Sequence, residues 1–333
     1  MKEIKDEIWI LADDRPGNYS QALGLAGELD FEHKIVNISY GNFAILPNLF
    51  LRSSLRGLNK ETKKSLSNMN YYPKMIIAAG RRAAPVSLYL KEKSGNRTKI
   101  IQIMNPGISH KKFDCIILPR HDRIKKSYTN VIRSIGALTK VNKDAIAYEV
   151  EKFAKIIKVD KKKKKIALLI GGDTKNTKFD IQSARTLSDR VARVVKNMDS
   201  ELFIINSRRT PEKVTKEIVS NLDKKKCSYQ FFDFNSTSKK DNPYYALIGM
   251  ADYFVVTGDS VSMISEVCSL EKPVYIYDNA KISSKKHKKF HKCLFLENYA
   301  KELNHVVNSL EKNVGKKLDE TDRIAKIIKK ELF

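Results

Sequence analysis

No apolar run in this sequence reaches the roughly 20 residues that a bilayer-spanning helix needs, so no segment is expected to cross a membrane. Cysteine is scarce: Cys115, Cys227, Cys268 and Cys293 lie far apart, with no C-x-x-C pair. That argues against a disulfide framework and a cysteine-based zinc site, and it suits free thiols in a reducing cytoplasm. Acid is in deficit. There are 38 Asp and Glu against 63 Lys and Arg, a formal net charge of +25. The imbalance favours anionic partners such as nucleotides or an acidic membrane surface, with a plain lysine-coated surface as the alternative. Zinc-finger spacing, a heptad-bearing basic helix and an RNP-type aromatic motif are all missing, so no specific nucleic-acid partner is expected. No repeat of solenoid period is present either, and nothing in the pattern points to a particular oligomeric state. The opening stretch "MKEIKDEIWILADDRPG" lacks a long apolar core and a small-residue cleavage site, and reads as a first β-strand, not a signal peptide.

What the chain does have is 42% hydrophobic residues over 333 positions, enough for two ordinary domains. Short apolar runs alternate with helix-like segments throughout. "EIWILA", "HKIVNI", "KMIIAA", "KIIQIM", "DCIILP" and "NVIRSI" read as strands of the first half. "SQALGLAGEL" and "RRAAPVSLYLKEK" read as helices, with Pro85 tolerated in a first turn. Strands that are apolar throughout point to parallel sheets covered on both faces. The charge block "VDKKKKK" then gives way to "IALLIGG", and four βα units follow with a closing strand, "PVYIYD". The expected fold is α/β: two Rossmann-like domains, residues 1–155 and 156–333, facing a cleft. The tail from "YAKELNHVVNSLEKN" onward is expected to be helical, counted with the second domain, and to pack back near the linker or the first domain.

Ligands of such sheets bind beyond the carboxyl ends of the strands, so the loops there carry the functional candidates. After "IALLI" come Gly171 and Gly172, then Lys175 and Asn176. Glycines let a backbone approach a ligand, and Lys and Asn supply donors; tight-turn geometry alone is the competing explanation. After "ELFIIN" come Ser207, Arg208 and Arg209, suited to phosphate, with Thr210 as a cap for a helix from Pro211. Asn242 and Pro243 read as the cap and first residue of a helix that opens with Tyr244 and Tyr245. After "YFVV" comes "TGDSVSMISEV". There Asp259 or Ser260 caps a helix, Val261 and Ser262 open it, and Glu266 sits further along it. Ser260 and the helix amides fit a diphosphate, and a carboxylate such as Glu266 fits a ribose diol. A capped helix with an incidental Glu is the bland alternative.

Together "GGDTKN", "INSRRTP", "NPYYALIGMADYFVVTGDSVSMISEV" and "KPVYIYD" resemble the motifs of the mitochondrial-fission, or elongated-mitochondria, family. So do "WILADDRPGNYSQALGLAGEL", "AAGRRAAP" and "IQIMNP…FDCIILPRHD", over nearly the whole chain. The resemblance implies the two-Rossmann glycosyltransferase (GT-B) fold. It also implies a donor loop in which Ser260 and the amides face a diphosphate and Glu266 a ribose. Nucleotide-sugar 2-epimerases share that loop. The sequence departs from the family at "DDRPGNYSQ", where a family histidine is replaced by Asn18 or Tyr19.

The reading that results is a metal-independent glycosyltransferase. It would move sugar from a nucleotide-sugar substrate, with no cofactor, to a cell-envelope or lipid-linked acceptor. A nucleotide-sugar epimerase or hydrolase, and a non-catalytic membrane-associated scaffold, are the alternatives. Asp14, Asp13, His121 and Asp122, at strand ends of the first domain, are the candidate general bases. His287, His291 and Cys293 lie in "SSKKHKKFHKC", where lysines repel a cation, so a solvated basic loop and no metal are expected. The stretch "YGNFAILPNLFLRSSLRGLNK" is too short to span a bilayer. It reads either as an interfacial patch, which would hold the protein peripherally on the inner face of a membrane, or as a core helix under a loop.

Overall fold

The computed structural model describes residues 2–124, 126–236, 241–312 and 316–332. The chain divides into two units, Met1–Lys140 with Asp319–Phe333, and Val141–Leu318.

In unit 1 the order is β1 (Glu3–Ala12), α1 (Pro16–Leu29), β2 (His33–Asn37), α2 (Asn48–Leu51), α3 (Lys60–Ser67), β3 (Tyr71–Ala79), α4 (Ala84–Lys93), β4 (Lys99–Ile103), β5 (Cys115–Pro119) and β6 (Val131–Ser134). Among the described residues these strands form one parallel sheet ordered β2-β1-β3-β4-β5-β6. Successive side chains of a strand point to opposite faces, and here both faces are covered. Ile8, Ile10, Met75 and Ile77 pack with Leu25 and Leu29 of α1. Trp9, Leu11, Ile76 and Ala78 pack on the other side with Val86 and Leu90 of α4. That is why the strands are apolar without alternation. Pro16 and Pro85 stand in the first turns of α1 and α4, where a missing N–H costs nothing.

Unit 2 runs α5 (Lys143–Phe153), β7 (Lys165–Leu169), α6 (Ile181–Asn197), β8 (Glu201–Ile205), α7 (Glu212–Lys224), β9 (Tyr229–Phe232), α8 (Tyr244–Met250), β10 (Tyr253–Thr257), α9 (Val261–Cys268), β11 (Val274–Tyr277), α10 (Lys285–Leu296) and β12 (Lys301–Glu302). Its parallel sheet is ordered β12-β11-β10-β7-β8-β9. This is the Rossmann order, and it reverses between β7 and β10. The last helix, α11 (Glu320–Leu332), belongs to unit 1, where Ile324, Ala325 and Ile328 join the core on the α1 face.

Three expectations are revised. The division falls at Lys140/Val141 and Leu318/Asp319 instead of 155/156, because α5 packs on α8, where Gly249 faces Ile146 and Val150. The tail is not helical from residue 299: Lys301 and Glu302 pair with β11, and the helix starts at Glu320. The lysine-rich "KKHKKFHKC" is not a loop but most of α10, started by a Ser284–His287 capping box and anchored by buried Phe290, His291 and Leu294.

Candidate functional site

The loops after β7, β8 and β10 meet at the point where the sheet of unit 2 reverses, and Asp259 ties them. Its side chain is 0% exposed. One oxygen accepts from Gly172 N at 2.8 Å and from Arg209 Nη2 at 2.9 Å, and the other from Thr257 Oγ1 at 2.7 Å. Arg209 also donates to Asp173 O at 3.0 Å. A Cβ on Gly171 would fall on the Asp259 carboxylate, and one on Gly172 on the Arg209 carbonyl. So Gly171, Gly172, Arg209 and Asp259 hold the loops to one another. Thr210 does the same: its hydroxyl reaches back to the carbonyls of Ile170 and Gly171, and Pro211 stands as the cap of α7. The Ser207 hydroxyl lies 3.0 Å from that of Thr210.

The remaining candidates face outward. Arg208, Lys175 and Asn176 are exposed. Ser260 is the N-cap of α9 and accepts from Met263 N at 3.4 Å, with Val261 and Ser262 half-buried in the first turn. Glu266 is half-buried further along α9, and its Oε2 accepts from the Tyr244 hydroxyl at 2.7 Å. Burial and then the Glu266 charge push the Tyr244 phenol well above its usual range, so it stays a donor. Asn242 Oδ1 accepts from Tyr244 N at 3.0 Å, and Pro243, one residue later than expected, is the cap of α8.

Lys272 was not singled out by the sequence reading, and His291 was expected in a solvated loop. Lys272, in "EKPV", donates to Gly249 O at 2.8 Å and Ala251 O at 2.7 Å, closing the C-terminus of α8. Burial lowers its ammonium below the usual lysine range. His291 is 1% exposed, with Nδ1 3.0 Å from Asp278 Oδ2, so Nδ1 carries the hydrogen of that bond. Burial raises the Asp278 carboxyl, but its bonds, His291 foremost, outweigh that and leave it below the usual range. His287 has a different task, accepting from Ser284 N in the capping box. Among the described residues no group of three His, Cys, Asp or Glu is placed to hold a metal ion.

In unit 1, β1 and β3 end side by side. Asp13 is almost enclosed and accepts from Arg15 N at 3.1 Å and Asn18 Nδ2 at 3.1 Å. Arg82, after β3, reaches Asp13 at 3.4 Å and ion-pairs with Asp14, which is 68% exposed. Its guanidinium stacks 4.1 Å from the centre of the Tyr40 ring. The Tyr40 hydroxyl is buried without a hydrogen-bond partner among the described residues. Burial, then the nearby Asp13, holds that phenol protonated far above its usual range. Asn18, one of the two residues at which the family histidine was expected, therefore orients a carboxylate. His121 is buried and Asp122 half-buried after β5. The strand order puts β3 and β4 between them and the Asp13–Asp14 turn.

The family described as Mitochondrial fission ELM1 matches residues 16–332. An uncharacterized protein of Rickettsia prowazekii (strain Madrid E) is 32% identical over 349 residues, covering 97% of each chain. Mitochondrial fission protein ELM1 of Arabidopsis thaliana is 28% identical over 230 residues, 61% of this chain and 51% of that one. Among solved structures, the UDP-GlcNAc 2-epimerase from Methanocaldococcus jannaschii matches with a TM-score of 0.51 at 12% identity, covering 97% of this chain and 99% of that chain. The enzyme from Neisseria meningitidis bound to UDP-GlcNAc matches with a TM-score of 0.50 at 12% identity, covering 98% and 99%. At such identity the likeness is one of fold, the two-Rossmann architecture shared by GT-B glycosyltransferases and these epimerases. By the extent of the family match, the chain belongs to the mitochondrial fission ELM1 family.

Proposed function

We propose that unit 2 binds the nucleotide part of a nucleotide-sugar and that the protein transfers the sugar to a cell-envelope or lipid-linked acceptor. The observation that carries this reading is the reversal point of the sheet. Three polar loops converge there and are fixed from within by Asp259, so that Arg208, Lys175 and the Ser260 end of α9 are left on the outer side. Preorganised donors of this kind stabilise a leaving diphosphate without a metal ion. Glu266 is the ribose acceptor in this reading. A carboxylate has about four lone-pair sites, so the bond from Tyr244 orients the group while it still accepts from a diol. On the acceptor side the reading takes Asp14 as the base, since Asp13 is enclosed and bonded on both oxygens.

Titration calorimetry with UDP, GDP and ADP tests the donor site. Glu266→Gln still accepts from Tyr244 but loses the charge. Hydrogen bonds to a charged group are worth about 1.5–3 kcal/mol, so affinity should drop about tenfold or more. Arg208→Ala should weaken the diphosphates and leave the parent nucleosides unchanged. A wild type that binds none of the three refutes the donor site. Incubation with the corresponding nucleotide-sugars then separates transfer or hydrolysis, which releases the nucleoside diphosphate, from epimerisation, which does not.

A further inference from the structure

The loop joining β2 to α3 is closed at its neck and turned outward at its tip. Tyr40 and Leu58 form an antiparallel bridge, and Gly41 N donates to Gly57 O at 3.0 Å. Ala44, Leu51 and Leu55 are buried on its inner side. Arg81 and Asn48 lock its middle. Arg81 donates to Leu46 O at 2.7 Å and Ala44 O at 3.1 Å, and Asn48 donates to Arg81 O and Pro106 O at 2.6 Å each. The loop is thus a fixed body with its own packing. Yet Phe43, Ile45, Leu46, Leu49 and Phe50 remain exposed, Ile45 at 85%. The alternative of a core helix does not hold for these side chains. A lone exposed leucine needs no explanation, but a cluster of large apolar side chains on one braced loop does.

We propose that this loop is the docking surface for an anionic lipid bilayer. Two features select lipid over a protein partner. The apolar side chains protrude, whereas a partner helix or strand seeks a groove. The same stretch, residues 42–60, carries Arg52, Arg56 and Lys60, all exposed, and no acid. Apolar tips that enter the boundary between headgroups and acyl chains, ringed by cations that meet lipid phosphates, are the chemistry of interfacial binding. The chain's net charge of +25 adds a long-range attraction of the same sign. Arg81 ties the loop to the end of β3, and Tyr40 at its neck stacks on Arg82. The inference stands on unit 1 alone and holds whatever unit 2 binds.

The test is flotation of the full chain with vesicles of phosphatidylcholine alone and of phosphatidylcholine with roughly a third phosphatidylglycerol. Wild type should float with the anionic vesicles, less with the neutral ones, and less again when salt shortens the screening length to about 3 Å at 1 M. Leu49→Ser with Phe50→Ser should cut partitioning about tenfold or more. Ile45→Ser alone, at a site too exposed to affect folding, should cut it severalfold. Arg52→Glu with Arg56→Glu should weaken the preference for anionic vesicles. Circular dichroism and an unchanged melting temperature establish that each variant is folded, and an unchanged affinity for nucleoside diphosphates separates this result from that of the donor site. The proposal is overturned if wild type floats with neither vesicle, or if Ile45→Ser floats like wild type. It is equally overturned if sedimentation shows that the loop is covered by a second copy, in a dimer that Leu49→Ser with Phe50→Ser dissolves.

Discussion

Asp259 shows what a single residue's neighbours add to its place in the sequence. Its position after an apolar strand and before Ser260 suits ligand binding and scaffolding equally well. The partners that decide between them, Gly172 and Arg209, lie 87 and 50 residues away. Removing a carboxylate from a buried ion pair strands its cation and donors, at about 3–5 kcal/mol. Asp259→Ala should therefore lower the stability of unit 2 by about that amount in urea melts, whereas Arg208→Ala, at an exposed side chain, should change it little. Asp180 makes a pH-dependent prediction at the same scale. Its carboxyl is lowered to about 2, first by the hydrogen bond from Lys281 and then by Ser183 at the start of α6. A depressed folded value means that the stabilisation is fully present above the unfolded value of about 3.9 and fades as pH falls toward 2. The melting-temperature gap between wild type and Lys281→Met should be constant near neutrality and should close between about pH 4 and pH 2. The gap should be small and salt-sensitive, since Lys281 is 62% exposed.

Elements were more legible than contacts. The strands, the helices between them and the order of polar loops follow from apolar periodicity and from a cap such as Ser260. The segment after residue 299 misled because its apolar residues keep a loose helical spacing, while Lys301 and Glu302 pair with the edge of the sheet at β11. The helix α10 was hidden by its lysines, since buried His291 and Phe290 supply the inward face that the charge run obscures. The α5–α8 pair has no local signal at all. It is seated by Gly249, where a Cβ would stand 2.5 Å from a Val150 methyl and 2.6 Å from an Ile146 methyl. Lys272 closes the far end of α8 on the Gly249 and Ala251 carbonyls. Lys272→Met keeps most of the volume but leaves these acceptors without their donor, a loss of about 1–3 kcal/mol. Hydrogen exchange should then quicken in α8 and leave α6 unchanged. Since α8 carries Tyr244, the partner of Glu266, nucleotide affinity should fall with it if Glu266 is the ribose ligand.

At the scale of the whole molecule the chain leaves unit 1 after Lys140 and returns to it at Asp319. The return of the tail to the first domain was expected from the sequence, but not where it docks. A lysine-rich amphipathic helix has an apolar stripe that fits many surfaces, and what fixes its place are contacts with residues far back in the sequence. Glu320 is buried, accepts from Ile135 N at 2.8 Å and pairs with Arg323, whose guanidinium also reaches Arg133 O at 2.8 Å. Thr321 Oγ1 accepts from Thr139 N at 2.9 Å. Ile324 and Ile328 are fully enclosed against Leu25 and Leu29 of α1. Burying an isoleucine contributes about 1.5–3 kcal/mol, so these two alone supply a sizeable share of the 5–15 kcal/mol typical of a domain. Removing the whole helix also takes Glu320 and Thr321 from the Ile135 and Thr139 amides. Deleting residues 319–333 should therefore unfold or melt unit 1 while leaving unit 2 folded, since no described core residue of α11 belongs to the second unit. Calorimetry should show the truncated chain losing one transition and keeping the other. Hydrogen exchange should assign the lost one to β1–β6. If both units melt together in the truncated chain, or if unit 1 keeps its protection, then α11 is not the closing piece of the first core.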